Sequence, residues 1–405
     1  MAELLLGGML LGTVTSQMLL DFCLLTGWAW LIYSKLRPSS YGYSIPFFRI
    51  IGIEWAFLAY FIIATLSLAL NAPEPIPWFY SLKKFTWIAD IYLMSWLFQN
   101  SYLKAKTLLI YSLVVFFLPN LYAITGFLMG QDLVTGNGIH RAVGLVNSAT
   151  YHAHGNGAIF VFFFTILLIQ WPLLSWSLRT LSFISATLMS FSILFTYTRG
   201  IWLSITLSLL FLLCTMGGKI LKRGLPILFA TCSFLLFFAP SIKSRLTTAS
   251  DGDGIRLNLY KVFWEMIKDH PLIGIGYWDQ YRQIEHYWPK IGLPSDYFTS
   301  HAHNQYLNVL GTTGLLGFLF FIAIFIYFLR MNILLLKKRP AGLQRTLLLA
   351  GLITQVEYYL ACVTDVTFEY AKLRAIILLV WAFLISTKSK DAQSPPLSQA
   401  RHPPE

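Results

Sequence analysis

Long apolar runs separated by short polar segments dominate the hydrophobic pattern of this chain. Many of the runs have about twenty residues, the length that crosses the hydrocarbon core of a bilayer. A window of about nineteen residues predicts about twelve membrane-spanning helices, at roughly 3–15, 17–35, 48–70, 78–98, 106–128, 154–173, 177–197, 200–217, 224–240, 305–330, 343–362 and 369–387. The pattern therefore predicts an all-α polytopic membrane protein with a single membrane domain over residues 1–387.

Basic residues collect in the connections that this arrangement puts on one side of the membrane. "YSKLRP", "YLKAK", "GGKILKRG" and "LRMNILLLKKRPAGLQR" are rich in lysine and arginine, as cytoplasmic loops usually are. We therefore expect both termini in the cytoplasm and the segments 129–153, 241–304 and 363–368 outside. Residues 388–405 are rich in proline and polar residues, which predicts a disordered cytoplasmic tail.

The largest predicted outer segment, 241–304, lies between the ninth and tenth spans. Its stretch "DGDGIRLNLYKVFWEMIKDHP" has apolar residues at helical spacing and predicts an amphipathic helix at about 254–269. The basic residues of this segment need an explanation, because the positive-inside rule does not govern long translocated segments. Binding of an anionic ligand would explain them.

The composition agrees with a membrane protein. The chain has 405 residues, of which 56% are hydrophobic and 12% charged, and its formal net charge is +12. All four cysteines lie within apolar runs, which favours a packing role over a disulfide or a zinc site. Nothing in this pattern indicates a nucleic-acid partner.

Two arginines near the predicted outer face are candidates for binding phosphate. Arg199 lies in "TYTRGIWLS" between the seventh and eighth spans, and Arg256 is in the first turn of the predicted loop helix. Either could instead contact lipid headgroups or be solvated. The planar guanidinium suits phosphate, and a cation in a helix's first turn opposes the helix dipole unless an anion binds there.

Two H-x-H pairs lie on the predicted outer side. They are His152 and His154 in "YHAHG", and His301 and His303 in "SHAHN". An interfacial histidine commonly caps a helix or contacts headgroups, and four imidazoles together could bind zinc, although no cysteine or ligand spacing marks a metal site. A histidine can also serve as a general base near neutral pH. With Arg199 and Arg256 holding a diphosphate leaving group, one such base would complete a metal-free transfer reaction.

The segment that begins at His303 resembles a motif of the bacterial O-antigen ligases and the related O-antigen polymerases. In the ligases, a histidine is followed by Asn, Ser or Gln, then by nine residues, glycine, two more residues, and Gly, Thr or Tyr. Here His303 and Asn304 are followed by "QYLNVLGTT", Gly314, "LL" and Gly317. The spacing is the same as in the family motif.

The resemblance extends to "TRG" and to "IRLNLYKVFWEMIKDHPLIGIG", so Arg199 and Arg256 align with the family's essential arginines. It implies a C-type glycosyltransferase fold with a site at the periplasmic face of the bacterial inner membrane. It also implies an undecaprenyl-diphosphate-linked glycan as donor and the lipid A-core oligosaccharide as acceptor. His303 would deprotonate the acceptor hydroxyl, and both arginines would bind the diphosphate. Such an inverting displacement needs neither a metal nor another cofactor.

Other residues near these motifs are candidates for substrate binding. They are Arg141, Tyr151, His152, His154, His301 and Asn304. The first four lie in or next to the outer segment 129–153, and they could instead belong to a polar loop with incidental histidines. His301 could orient the site or contact phosphates of the acceptor.

Two other kinds of protein share parts of this pattern. An O-antigen polymerase or a protein O-oligosaccharyltransferase would use the same donor with a different acceptor, and the motif spacing favours the ligase over both. A lipid-carrier or ion-coupled transporter would place its essential ionisable residues deep within its spans. Asp90 and Glu357 lie at such positions, although the sequence shows no matching interrupted spans in two halves.

Overall fold

The computed structural model describes residues 1–36, 52–71, 84–101, 105–146, 148–217, 251–277, 280–298 and 300–393. Within these ranges the regular structure is helical, apart from an isolated bridge between Gln131 and Gly138. The α-helices in chain order are α1 (Ala2–Val14), α2 (Gln17–Leu36), α3 (Glu54–Asn71), α4 (Trp87–Gln99), α5 (Ala105–Met129), α6 (Ala149–Gln170), α7 (Trp176–Phe195), α8 (Arg199–Thr215), α9 (Asp251–Asp269), α10 (Gln280–Tyr287), α11 (Gln305–Lys338), α12 (Leu343–Ala361) and α13 (Ala371–Gln393).

Five stretches of the described residues are helical, long and apolar enough to cross a membrane: α2, α3, α7, α11, and α6 extended to Leu173. α1, α8 and the second half of α5 are apolar but shorter. Large apolar side chains are exposed on these helices, among them Met18, Phe22 and Leu25 of α2. Such a surface suits lipid tails and supports a polytopic membrane protein.

Eleven of the twelve predicted spans coincide with helices, whereas the span predicted at 224–240 lies outside the described residues. The number of spans and the full extent of the loop before α11 therefore stay predictions. The tail predicted from residue 388 onward begins within α13, which continues to Gln393 because "TKSKDAQ" contains good helix formers. Residues 394–405 lie outside the described part of the chain.

The largest buried cluster lies where α3, α4, α11 and α13 meet, and aromatic rings fill much of it. Trp381 stacks on Phe328 with ring centroids 4.4 Å apart, and Trp87 meets Phe57 edge to face at 5.6 Å. On the other side, α6 packs closely against α8 and α12 through small residues such as Gly157. Small residues favour close helix packing in a bilayer, where burial of apolar surface supplies little driving force.

α11 is interrupted near its start, at Gly314, whose backbone is not helical (φ 65°, ψ −173°). The backbone of residues 271–276 lies against this interruption, and Ile275 N donates to Gly311 O at 3.0 Å. A Cβ on Gly314 would overlap the backbone of Leu272, so the close approach and the positive φ both require glycine. The first glycine of the sequence motif is therefore the point where the loop packs against α11.

Side chains satisfy the polar backbone groups at this interruption. Ser67 Oγ donates to Thr312 O at 2.7 Å, and Asn71 Nδ2 donates to Gly274 O at 2.8 Å. Gln283 of α10 donates to Asn71 O at 3.1 Å. Non-helical backbone at membrane depth needs such partners, since lipid tails offer none. These bonds connect the loop, α3 and α11.

The amphipathic helix predicted at about 254–269 falls within α9. One face of α9 is buried against other parts of the loop, with Val262 and Phe263 fully covered among Ile284 and Trp288. The opposite face leaves Leu257 and Trp264 exposed by 55% and 54%. The helix thus has an apolar inner face and two large apolar side chains outside.

Candidate functional site

The connection between α12 and α13 brings Asp365 next to three of the predicted histidines. Its Oδ1 lies 3.5 Å from His303 Nδ1 and 3.9 Å from His301 Nε2, and its Oδ2 lies 3.8 Å from His154 Nε2. Asp365 is only 4% exposed, so these imidazoles form its immediate polar surroundings. We call these four residues the histidine–aspartate cluster.

Gln305 holds the start of α11 against the same connection. Its backbone N donates to Cys362 O at 2.8 Å, and its Nε2 donates to Glu369 Oε1 at 3.1 Å. Its Oε1 accepts a hydrogen bond from Phe368 N at 3.0 Å, and the whole residue is buried. Because Gln305 follows His303 by two residues, these bonds fix the position of the histidine relative to the α12–α13 connection.

His303 itself has a left-handed backbone, with φ of 48°. This conformation is unfavourable for a residue other than glycine, and it is often found at functional sites. Its N donates to His301 Nδ1 at 3.2 Å, and Tyr260 Oη donates to its carbonyl at 3.5 Å. Asn304 caps α11 by accepting a hydrogen bond from Leu307 N at 3.0 Å. The polar side chains around the turn therefore hold the strained conformation.

The two ring nitrogens of His303 have different surroundings. Nδ1 is buried without a hydrogen-bond partner within the described part of the chain, and the nearest carboxylate oxygen is that of Asp365. Nε2 lies 3.5 Å from Ser300 Oγ. A carboxylate beside one ring nitrogen favours a hydrogen there and leaves the other nitrogen to accept a proton. At 3.5 Å the contact is loose, and such contacts often tighten when a substrate binds.

The charge states in the cluster follow from burial and from these neighbours. Burial of Asp365 opposes its ionisation, but the adjacent His303, His154 and His301 outweigh this effect and hold its pKa below the ordinary value. Burial lowers the pKa of His301 to about 4, and positive charge on His303 and Arg256 acts in the same direction, against Asp365. At neutral pH the cluster therefore has an ionised carboxylate and a neutral His301.

Arg256 lies on the part of α9 that faces the cluster. It is half-buried, and its charge acts on both His301 and His154. Tyr260, one turn further along α9, contacts the carbonyl of His303. The structure thus places this predicted arginine near the histidine–aspartate cluster, where its charge acts on two of the histidines.

Arg199 is the first residue of α8, and the start of α8 contacts the α12–α13 connection. A Cβ on Gly200 would overlap the side chain of Thr364, which is adjacent to Asp365 in sequence. Arg199 is half-buried, and the preceding Tyr197 has a positive φ of 52°. The start of α8 is therefore adjacent to the connection that supplies the carboxylate of the cluster.

Arg141 supports the turn that precedes Arg199. Its Nε donates to Thr196 O at 2.6 Å, and its Nη2 donates to Thr198 Oγ1 at 3.0 Å. Both partners lie in the connection between α7 and α8. Arg141 therefore fixes the turn that leads into Arg199.

The two histidines of "YHAHG" point in different directions. His154 faces Asp365, whereas His152 Nε2 lies 2.6 Å from Ser192 Oγ of α7. Asn156 Nδ2 also contacts His152, which is buried beneath Gly144. The structure thus places His152, a predicted substrate-binding residue, apart from the cluster. Tyr151 lies near the cluster, because its ring packs against Tyr370, whose hydroxyl is 2.8 Å from His301 Nε2.

Among the residues that the structure describes, one group of side chains has the spacing of a metal site. A ligand atom from each of His301, His303 and Asp365 lies within 4.8 Å of the other two. However, His301 Nδ1 accepts a hydrogen bond from His303 N, so its Nε2, the atom nearer Asp365, carries the ring hydrogen. A protonated nitrogen is not a metal ligand. In this arrangement the donor set does not fit a metal.

Several residues that build the site were not predicted from the sequence. They are Tyr260, Gln305, Asp365 and Tyr370. A signal for Asp365 was present, since the short outer connection "VTDVTFEY" contains two acidic residues next to a span. An acidic residue there is costly unless it has a partner, and the predicted outer histidines were available partners.

Residues 184–322 match the family model described as O-antigen ligase. The matched segment includes Arg199, Arg256, His301 and His303, and it ends before Asp365. A comparison with curated proteins finds no match. The family match supports an enzyme of the ligase or polymerase type that acts on lipid-linked glycans, and the apolar helices support a membrane location. The match over residues 184–322 supports an assignment to the O-antigen ligase family, and it covers about a third of the chain.

Proposed function

We propose that the protein transfers an O-antigen glycan from undecaprenyl diphosphate to the lipid A-core oligosaccharide, a step of lipopolysaccharide biosynthesis. The reaction takes place at the periplasmic face of the inner membrane. It is an inverting displacement that requires no metal and no other cofactor. The observation that carries the proposal is the 3.5 Å approach of His303 to Asp365, with Arg256 close enough for its charge to act on the neighbouring His301. A candidate base, carboxylate and phosphate-binding cation thus come from three separate parts of the chain.

In the proposed reaction, His303 Nε2 accepts the proton of an acceptor sugar hydroxyl while that oxygen attacks the anomeric carbon of the donor. The bond between the anomeric carbon and the diphosphate oxygen breaks, and its electron pair leaves with the diphosphate. Arg199 and Arg256 stabilise the charge that develops on the leaving group. Asp365 stabilises the imidazolium that forms on His303. Attack from the face opposite the leaving group inverts the anomeric configuration.

The periplasmic placement rests on the charges at the two ends of α11. His303 lies just before its first residue, whereas its last turn contains Lys337 and Lys338, followed by Arg339. Basic residues favour the cytoplasmic side of a span. The cluster then lies at the other side, where a lipid-linked glycan would be presented after transfer across the membrane.

An O-antigen polymerase or a protein O-oligosaccharyltransferase would use the same donor site and the same base. The three activities differ in the acceptor, which is a core oligosaccharide, a second lipid-linked glycan or a protein hydroxyl. The test therefore supplies each acceptor separately. Transfer to rough lipopolysaccharide alone supports the ligase.

The experiment measures transfer by purified protein in a metal-chelated buffer, with undecaprenyl-diphosphate glycan and rough lipopolysaccharide. We expect the native protein to be active without metal and His303→Ala to lose at least the roughly 10²-fold that a general base contributes. The matched control is His286→Ala, an exposed histidine of the same loop, which should keep its activity. Normal transfer by His303→Ala, or activity that requires added metal, would refute the mechanism.

A further inference from the structure

The outer face of α9 carries a row of exposed side chains along most of its length. Leu257, Lys261, Trp264 and Lys268 are spaced three or four residues apart, so they share one side of the helix, and each is exposed. Leu272, four residues further along the chain, is exposed as well. We call these five residues the α9 stripe.

The α9 stripe ends beside exposed leucines of α11. Leu315 N donates to Pro271 O at 2.8 Å, and Leu316 N donates to Leu272 O at 3.1 Å. Leu315 and Leu316 are exposed, as is Leu272 next to them. Because α11 is long and apolar enough to cross a membrane, exposed leucines on it suit contact with lipid. The α9 stripe is therefore continuous with a surface that faces lipid.

α11 bends sharply at Gly314, so its first part does not continue the line of the span. In a straight helix, residues 306 and 325 would be about 28 Å apart. Here Tyr306 Oη donates to Tyr359 O at 2.8 Å, and Tyr359 Oη donates to Phe325 O at 3.1 Å, so one residue of α12 reaches both. The start of α11 therefore turns aside from the axis of the span.

α9 runs alongside this turned segment. Tyr260 Oη donates to His303 O at 3.5 Å, just before α11 begins, and Phe263 lies against Gly311, shortly before the bend. Phe263 and its buried neighbours are on the side of α9 away from the stripe. α9 is thus held beside the outer end of the span, with the stripe left uncovered by the described part of the chain.

We propose that the α9 stripe docks on the anionic headgroups of the outer leaflet of the surrounding membrane. Leucine and tryptophan suit the boundary between headgroups and acyl chains, and lysine reaches phosphate with its long stem. Lys261 supplies positive charge in the middle of the stripe, whereas Glu265 lies 2.7 Å from Lys268 and offsets part of its charge. This charge and the continuity with the leucines of α11 favour a phospholipid surface over a second protein.

The first test measures what covers the stripe in protein reconstituted into vesicles of phosphatidylethanolamine and phosphatidylglycerol. A fluorescent label is attached in Leu257→Cys and in Trp264→Cys, with the four native cysteines replaced by alanine. We expect quenching by nitroxides carried on lipid and little quenching by water-soluble nitroxides. The control is Glu285→Cys, exposed elsewhere on the loop, which should show the reverse.

Two results would overturn the proposal. Quenching of both stripe labels by the water-soluble nitroxide alone would show a solvated face. Labels shielded from both quenchers would show that protein, such as a second copy of this chain, covers the stripe. Neither result bears on glycan transfer, because the measurement needs no substrate.

A second measurement keeps the native cysteines and tests the lysine. The fluorescence of Trp264 is obtained as the difference between the native protein and Trp264→Phe, in brominated phosphatidylglycerol and in brominated phosphatidylcholine. We expect stronger quenching by the anionic lipid, with a preference of roughly fivefold for one basic residue near a charged surface. Lys261→Gln should lose this preference, whereas Lys290→Gln, which removes a lysine paired with Asp269, should keep it. Equal quenching by the two lipids in the native protein would overturn the assignment to anionic headgroups.

Discussion

Asp365 is the residue around which the candidate site is arranged, since its two carboxylate oxygens face three imidazoles. Its role for His303 would be orientation of the ring and stabilisation of its charged form. Neither role requires contact with substrate. A carboxylate beside a histidine base is known to matter through the tautomer that it selects.

We therefore expect Asp365→Asn to lower kcat for glycan transfer by about 10²-fold or more, with smaller changes in either KM. Asparagine keeps the size of the side chain, so the helices should pack as before. Steady-state kinetics on purified protein would measure this, with Asp296→Asn in the exposed part of the loop as control. A native kcat in Asp365→Asn would show that the base works without the carboxylate.

The sequence was enough to choose several candidate site residues, but it could not predict which side chains they contact. The spacing of the motif and the charge of the outer loop indicated His303 and Arg256. The two histidines of "YHAHG" looked equivalent, yet two residues on a helix point to nearly opposite sides, so His154 reaches Asp365 while His152 reaches Ser192. The link between residues 303 and 365 depends on tertiary packing, which local pattern does not report.

At the scale of elements, the interruption of α11 at Gly314 couples the loop to the membrane helices. The segment 271–276 enters the interruption and pairs with the backbone of α11. Hydropathy could not predict this, because the apolar run continues past the glycine and the partners that permit the break, such as Ser67, lie far away in sequence. The spacing of the motif predicted a catalytic segment. It did not predict that Gly314 interrupts α11 and lets the loop backbone pack against it.

Gly314→Ala should destabilise the protein and abolish transfer. The new Cβ would overlap the backbone of Leu272, and the positive φ adds strain of about 1–3 kcal/mol. Gly292→Ala is a matched control, since Gly292 also has a positive φ of 79° but has open space around a Cβ. Thermal unfolding in detergent would compare them. Equal melting temperatures would show that the loop does not need this close approach.

At the scale of the whole molecule, the distribution of ionisable residues bears on the transporter alternative. Asp90 accepts a hydrogen bond from Trp28 Nε1 at 3.5 Å, and Glu357, fully buried in α12, accepts one from Ser204 Oγ at 2.8 Å. Both residues lie within predicted spans, where a transporter would place its essential ionisable groups. Each carboxylate thus accepts a hydrogen bond from a neighbouring helix, α2 for Asp90 and α8 for Glu357, which favours a packing role.

Asp90→Asn and Glu357→Gln should therefore keep transfer within about tenfold of native, because an amide oxygen can accept the same hydrogen bond. The assay is the metal-free transfer reaction, run beside His303→Ala. The result that would favour a transport protein is the reverse order, with His303→Ala active and both amide variants inactive. Uptake into proteoliposomes would then be the next measurement.

The exposed Leu257 of α9 is the neighbour of Arg256 in sequence, and Trp264 lies two turns further along the same helix. Large apolar and indole side chains of this kind settle at the boundary between headgroups and acyl chains. The depth at which they rest would set the height of the arginine above the bilayer. If the donor is the proposed lipid-linked diphosphate, its phosphates would lie at that same level. Bilayer thickness and headgroup composition would then affect how well Arg256 reaches the donor.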